Sequence, residues 1–330
     1  MKILCGDIGG TKTLLQLADV EGDQITIIDQ QRYPSGSYDD FYKLIAEFLT
    51  NHPGIKIQSA CFGVAGPVFQ TNSGQSATIT NLPWQMETQT IASRFQIKSV
   101  TLINDFQAVG YGLEALGEEE FVTLQTGAPA PHGNRLVIGA GTGLGVAQLI
   151  WDSNHYKVIA TEGGHADFAP ANELQLALAG YLMHRYGRSS MEHVLSGPGL
   201  VNIYGFIAEQ QKLLGSAAYK EVMASADPAA AIAQAAKTGE GLAVAALELF
   251  VEAYGAQAGN FALSSLALGG VYIAGGIAPK IIERLKTSRF MAALRNKGKM
   301  AELMEQMPVR VVMNPEIGLL GSRVIARRNS

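Results

Sequence analysis

Cysteine is almost absent from this chain, positive charge is in no excess, and no apolar run is long enough to cross a bilayer. The two cysteines, Cys5 and Cys61, each sit in an apolar stretch that reads as a buried strand, outside any Cys-x-x-Cys or Cys/His cluster. Packed, reduced thiols follow, which fits a reducing cytosol and gives the expectation of a cytoplasmic protein. Charge is equally restrained: 25 Lys and Arg against 29 Asp and Glu leave a net charge of −4. Nucleic acid and anionic membrane surfaces usually select a basic footprint, so neither is an expected partner, and any bound anion is small and locally held. Before Gly6 stand one lysine and a three-residue apolar run, too short for the core of a signal peptide. The most apolar late stretch, Phe261 to Ala274, is broken by Ser264-Ser265 and Gly269-Gly270, which argues against a membrane span. Proline-rich, serine-rich and like-charge tracts are missing as well, so no disordered linker is marked.

What the chain has in quantity is glycine, 37 of 330 residues, above the usual ~7%. These glycines cluster at the ends of apolar runs, where backbone turns tightly or approaches a ligand. The length is sufficient for two domains. The patterning predicts strands at Ile3–Cys5, Leu14–Ala18, Ile25–Gln31, Ser59–Val64, Val100–Ile103, Leu136–Ile138, Val146–Ile150, Val158–Thr161 and Val271–Ala274. Helices are predicted at Tyr38–Leu49, Thr88–Phe95, Gln107–Leu116, Leu174–Tyr186, Pro279–Leu285 and Ile317–Arg327, with one long alanine-rich region from Pro228 to Leu268. Phe69–Gln75 and Thr126–Asn134 read as exposed loops. An antiparallel strand group followed by strand–helix alternation occurs before about residue 110 and again after about 135, which points to a duplicated α/β unit with mixed sheets around a cleft.

Three glycine turns carry the chemistry. The first reads Gly6-Asp7-Ile8-Gly9-Gly10-Thr11-Lys12-Thr13: backbone N–H groups can converge on an anion, Thr11 or Thr13 can donate to phosphate, and Asp7 can hold Mg²⁺ directly or through water. It is no Walker loop, because the Gly-Lys-Ser/Thr spacing is lacking. The second, Gly139-Ala140-Gly141-Thr142-Gly143-Leu144-Gly145, repeats the shape; aligning Gly6 with Gly139 sets Ala140 against Asp7, so only the first copy has an acid. A dinucleotide fingerprint fails here, since no frame supplies its three glycines and a strand, not a helix, follows. In the third, Val271–Ala274 runs into Gly275-Gly276 and then a proline-started helix, leaving flat surface on which a planar base can lie.

Polar residues end other apolar strands. Asn104-Asp105 close one strand and open a helix, where they can cap that helix, face a ligand crevice, or both; Asp105 can accept a proton from a hydroxyl nucleophile. Glu162 and His165 flank Gly163-Gly164 and can turn toward one small polar ligand. His165, Asp167 and His193 match no standard zinc spacing. Glu192 precedes Ser196-Gly197-Pro198-Gly199 and, taken alone, reads as a surface acid.

With these residues together, the chain resembles the bacterial glucokinases of the hexokinase and actin superfamily, over essentially its whole length. Gly6–Thr13 is similar to their first phosphate motif, Gly139–Gly145 to the second and Val271–Ala278 to the adenosine motif. The resemblance implies a duplicated ribonuclease H-like, actin-like ATPase fold, with a smaller domain of 1–112 plus 314–330 and a larger one of 113–313. It implies ATP and Mg²⁺, with Gly6, Asp7, Ile8, Gly9, Gly10, Thr11, Gly141, Thr142, Gly143, Gly275 and Gly276 on the nucleotide and Asp7 on the metal. It further implies Asp105 as catalytic base, with Asn104, Asp105, Glu162, His165 and Glu192 on the hydroxyls of glucose, and a homodimer. Two isolated cysteines cannot make the zinc motif usual in the related repressor/kinase family. The rivals are a kinase for another hexose and a sugar-sensing regulator; the second would need a DNA-reading module, and no basic helix pair precedes the first strand.

Overall fold

The computed structural model describes residues 1–330 and divides them into two compact units, Met1–Glu118 with Tyr156–Ala160 and Asn314–Ser330, and Glu119–His155 with Thr161–Met313. The first unit holds strands β1 (Lys2–Ile8), β2 (Lys12–Glu21), β3 (Gln24–Pro34), β4 (Ile57–Val64), β5 (Val68–Thr71), β6 (Gly74–Thr78), β7 (Gln85–Glu87) and β8 (Ser99–Asn104). Its main sheet runs β3-β2-β1-β4-β8. The β1–β2–β3 meander is antiparallel, and β4 and β8 add in parallel on the other side of β1. Apolar residues of β1 and β4 are buried along nearly their whole length, as expected for central strands covered on both faces. Phe41, Phe48, Phe62 and Trp84 fill the core on one side, and helix Ile317–Arg328 packs on β1 and β4.

The second unit carries β9 (Phe121–Gln125), β10 (Arg135–Ala140), β11 (Leu144–Asp152), β13 (Gly270–Ala274) and β14 (Val309–Val312), while most of β12 (His155–Thr161) belongs to the first unit. Within this unit the strands run β11-β10-β13-β14-β9. Strand β10 pairs antiparallel with β11 and parallel with β13, so it repeats the position of β1, and β9 adds an antiparallel edge. The same connectivity thus occurs twice, in a mixed α/β chain.

Several segments depart from the sequence reading. Phe69–Gln75 is not a loop but belongs to the β5–β6 hairpin, whose polar residues hide the strand period; Phe69 is exposed on it. The alanine-rich region is two helices, Pro228–Lys237 and Gly241–Ser265, separated at Gly239, whose φ of +86° no continuing helix permits. Small residues in the longer helix allow close packing: a Cβ on Gly255 would lie 2.2 Å from Phe290 O. Strands β5–β7, β9 and β14 and helices Ala217–Met223, Ser288–Arg295 and Ala301–Gln306 are additional to the predicted set. No helix is long and apolar enough to cross a membrane.

Candidate active site

The first glycine turn is the apex of the β1–β2 hairpin, whose last paired residues are Ile8 and Thr13. Ser35 pins this apex: its hydroxyl donates to Gly9 O at 2.7 Å and its N–H to Thr11 O at 3.1 Å. Thr13 is fully buried with its Oγ1 3.0 Å from Ser35 Oγ, so of the two candidate hydroxyls only exposed Thr11 remains available to a phosphate. Gly10 is hemmed in by Thr80 O, which a Cβ would approach to 2.8 Å. Gly6 and Ile8 belong to the packed strand; their backbone shapes the approach to the apex, while the Ile8 side chain is in the core.

Asp7 lies between Leu14 and Gly63 in the sheet and retains some accessible surface. Its carboxylate meets the first turn of helix Ile317–Arg328, where a Cβ on Gly318 would sit 3.4 Å from its Cγ. Burial, the larger effect, raises its pKa above the ordinary carboxylate range; Lys12 opposes that and Glu316 adds to it. A helix N-terminus and a nearby Lys favour the anion, whereas Glu316 disfavours it. A partly accessible carboxylate raised by desolvation and a second acid suits a hard divalent cation that keeps several waters. Glu316 itself is held by Gln30 Nε2, 3.1 Å from each carboxylate oxygen.

In the same sheet, Asn104 ends β8 in the row Ile8–Val64–Asn104. Its Oδ1 accepts from Phe106 N and Gln107 N at 3.0 and 3.2 Å, and its Nδ2 donates to Gly66 O at 3.3 Å. The capping reading is therefore realised. Asp105 begins the helix Asp105–Gly112, with Oδ1 accepting from Phe106 N at 2.8 Å. Two strand spacings, about 10 Å, separate the columns of Asp7 and Asn104.

In the second unit the β10–β11 hairpin closes with Ala140 opposite Leu144, leaving Gly141–Gly143 as its apex. Buried Tyr254 accepts from Ala140 N at 3.2 Å and donates to Ile138 O at 3.3 Å. Gly197 N donates to Gly141 O at 2.8 Å, and Ile277 N to Ala140 O at 3.2 Å. The third glycine turn therefore lies directly on the second: a Cβ on Gly275, whose φ is +82°, would sit 2.5 Å from Ala140 O. Beside both opens a cavity of about 550 Å³, lined among others by Gly141, Thr142, Asp227, Gly276, Ile277 and Lys280.

Glu162, His165 and Glu192 come together on this unit. His165 Nδ1 is 3.6 Å from Glu162 Oε2, and its Nε2 is 3.9 Å from Glu192 Oε1. Glu192 is no surface acid: it is 31% exposed, against 73% for Glu162, and its Oε2 accepts from Leu144 N at 2.8 Å. His193 and Asp167 are not in this group, since His193 Nδ1 accepts from Ser190 N and Asp167 pairs with Arg188. Ser35, Gly318 and Tyr254 escaped the sequence reading, because each acts across a long separation and none belongs to a local motif.

The chain is similar to known proteins along its whole length. The family model described as Glucokinase matches residues 4–329. A glucokinase of Trichormus variabilis is 41% identical over 346 residues, covering 99% of each protein. The crystal structure of glucokinase from an Antarctic psychrotroph aligns with a TM-score of 0.85 at 31% identity, again over 99% of both chains. A glucokinase of Balamuthia mandrillaris, solved in complex with glucose, shares the fold at 23% identity with a TM-score of 0.80, over 99% of this chain and 93% of that one.

Proposed function

This chain belongs to the glucokinase family, and from that premise we propose that it transfers the γ-phosphoryl group of ATP to the 6-hydroxyl of glucose, releasing glucose 6-phosphate and ADP. The observation that carries the reading is the β10–β11 apex, which borders a cavity on Gly141 and Thr142 and is bonded to the Glu192 carboxylate beside His165. A phosphate cradle and a group of hydroxyl-binding side chains on one short hairpin suit a kinase acting on a polyol.

In this reading Gly275 and Gly276 offer the flat surface for adenine. Backbone N–H groups of Thr142, Gly143, Gly10 and Thr11, with the hydroxyls of Thr142 and Thr11, receive the phosphates, whereas Gly141 N and Gly9 N close their own turns on Gly143 O and Lys12 O and Gly6 stays within the strand ladder. Asp7 would hold Mg²⁺, which would neutralise charge on the phosphate oxygens when bound. Asn104, Glu162, His165 and Glu192 orient the sugar hydroxyls. Asp105 aligns O6 and takes its proton as the bond to phosphorus forms. Because phosphoryl transfer is largely dissociative, positioning contributes more than proton removal. A cytoplasmic homodimer goes with this reading, supported by the two buried free thiols and by the prevalence of two-fold oligomers; size-exclusion chromatography with light scattering tests the dimer.

The decisive experiment is a coupled assay of a hexose panel with ATP and Mg²⁺, in which glucose gives the highest kcat/KM. Activity toward none of the hexoses overturns the assignment. Asp105→Asn lowers kcat by about 10²–10⁴-fold while calorimetry still detects glucose binding.

A further inference from the structure

Three segments of the second unit interlock around one carboxylate. Glu192 Oε2 accepts from Leu144 N at 2.8 Å, while Glu192 N donates to Gly164 O at 2.9 Å. Gly164 in turn lies so close to the hairpin that a Cβ would be 2.1 Å from Leu144 O. The other carboxylate oxygen, Oε1, faces His165 Nε2 at 3.9 Å. One side chain therefore touches both the exit of the phosphate turn and the turn that carries Glu162 and His165. The two apex glycines differ in this respect: a Cβ on Gly143 would meet Glu192 Oε2 at 2.4 Å, but one on Gly141 would meet nothing within 4 Å.

We propose that Glu192 is a positioning residue that couples sugar occupancy to the shape of the phosphate turn. This rests on the functional reading above, in which Glu192 and His165 hold the sugar and Gly141–Gly143 hold phosphate. A sugar hydroxyl donating to Oε1 fixes the side-chain rotamer and keeps Oε2 on Leu144 N, so the apex is set before the nucleotide arrives. An apex already ordered by nucleotide keeps the carboxylate aimed at the sugar. Linkage requires each ligand to tighten the other by the same factor.

Calorimetric titration of the full-length protein with glucose, with a non-hydrolysable ATP analogue plus Mg²⁺, and with each in the presence of the other tests this. In the wild type, glucose tightens the analogue about 5-fold or more. Gly143→Ala pushes the carboxylate off Leu144 N, weakens glucose about 10-fold although the residue belongs to the nucleotide turn, and brings the coupling factor close to one. Gly141→Ala, with open space at its Cβ, weakens the analogue alone and keeps the coupling. Should Gly143→Ala fail to fold, Glu192→Asp, which retracts the carboxylate from Leu144 N, abolishes the glucose-induced tightening. A coupling factor near one in the wild type, or a Gly143→Ala or Glu192→Asp protein that retains the full coupling, overturns the proposal. Wild type that binds neither glucose nor the analogue defeats the functional reading itself.

Discussion

The β1–β2 and β10–β11 hairpins occupy the same place in their sheets, yet their apices are made rigid by different chemistry. At the first, neutral hydroxyl and backbone groups of Ser35 close the turn, and the acid is the strand's own Asp7. At the second, the strand offers buried Ala140, and rigidity comes from outside, through the Tyr254 phenol and the Glu192 carboxylate. Beside the acid of the first strand stands a second, Glu316, which raises the Asp7 pKa and is itself held by Gln30. Where the acid is missing, a carboxylate can be recruited to the turn without repulsion. The duplicated frame is thus conserved in backbone and divided in charge.

Charge division is broken most severely by Ala140→Asp, which buries an uncompensated carboxylate in β10. Urea denaturation is expected to show a loss of about 3–5 kcal/mol or no folded protein. The reciprocal change, Asp7→Asn, leaves the fold intact but lowers kcat by about 10²–10³-fold in the coupled assay, as does removing one electrostatic stabiliser of transferred charge. Tyr254→Phe separates the two kinds of support: it orphans Ala140 N, costs about 1–3 kcal/mol by denaturation, and leaves the first hairpin untouched.

The smallest effect lies at the far end of the first hairpin. There Asp19 accepts from Lys2 Nζ at 2.6 Å and from the N-terminal amine at 2.9 Å, and these bonds lower its pKa to about 2. A depressed carboxylate stabilises the fold above its ordinary pKa of 3.8 and loses that contribution as pH falls toward about 2. Asp19→Asn should therefore have a small Tm deficit at pH 5 and above that shrinks as pH falls from about 4 through about 2. A deficit independent of pH would show that charge plays no part.

The glycine hairpins were legible because apolar β-branched runs end in glycine at both, and the structure places their apices where the motif reading expects them, at Gly9–Thr11 and Gly141–Gly143. The short polar strand β6, with its GQSAT sequence, carried no alternation to read. The break at Gly239 had a local signal, a glycine within a helical run, that alanine content overrode. Among the candidate residues, Asn104 and Glu162 stand at or directly after strand ends, which is what made them visible in the sequence. The Glu192–Leu144 bond was not legible, because the partners are 48 residues apart and the donor is backbone. The motif left Thr11 and Thr13 as alternatives, and strand alternation decides between them by turning the Thr13 hydroxyl toward Ser35.

One contact also ties the distant segments of the first unit together. Ser322 Oγ donates to Gly6 O at 2.8 Å and accepts from Gly63 N at 3.1 Å, so a residue 316 positions downstream completes the packing of β1. During synthesis the five strands of that sheet and helix Asp105–Gly112 are made well before helix Ile317–Arg328, which packs on β1 and β4 beside it and is complete only when Asn314–Ser330 leaves the ribosome. By then Thr161–Met313 of the second unit has already been made. Such long-range closure is slow, and an uncovered apolar sheet is prone to aggregate. Closure of the first unit therefore waits on a segment made after the second.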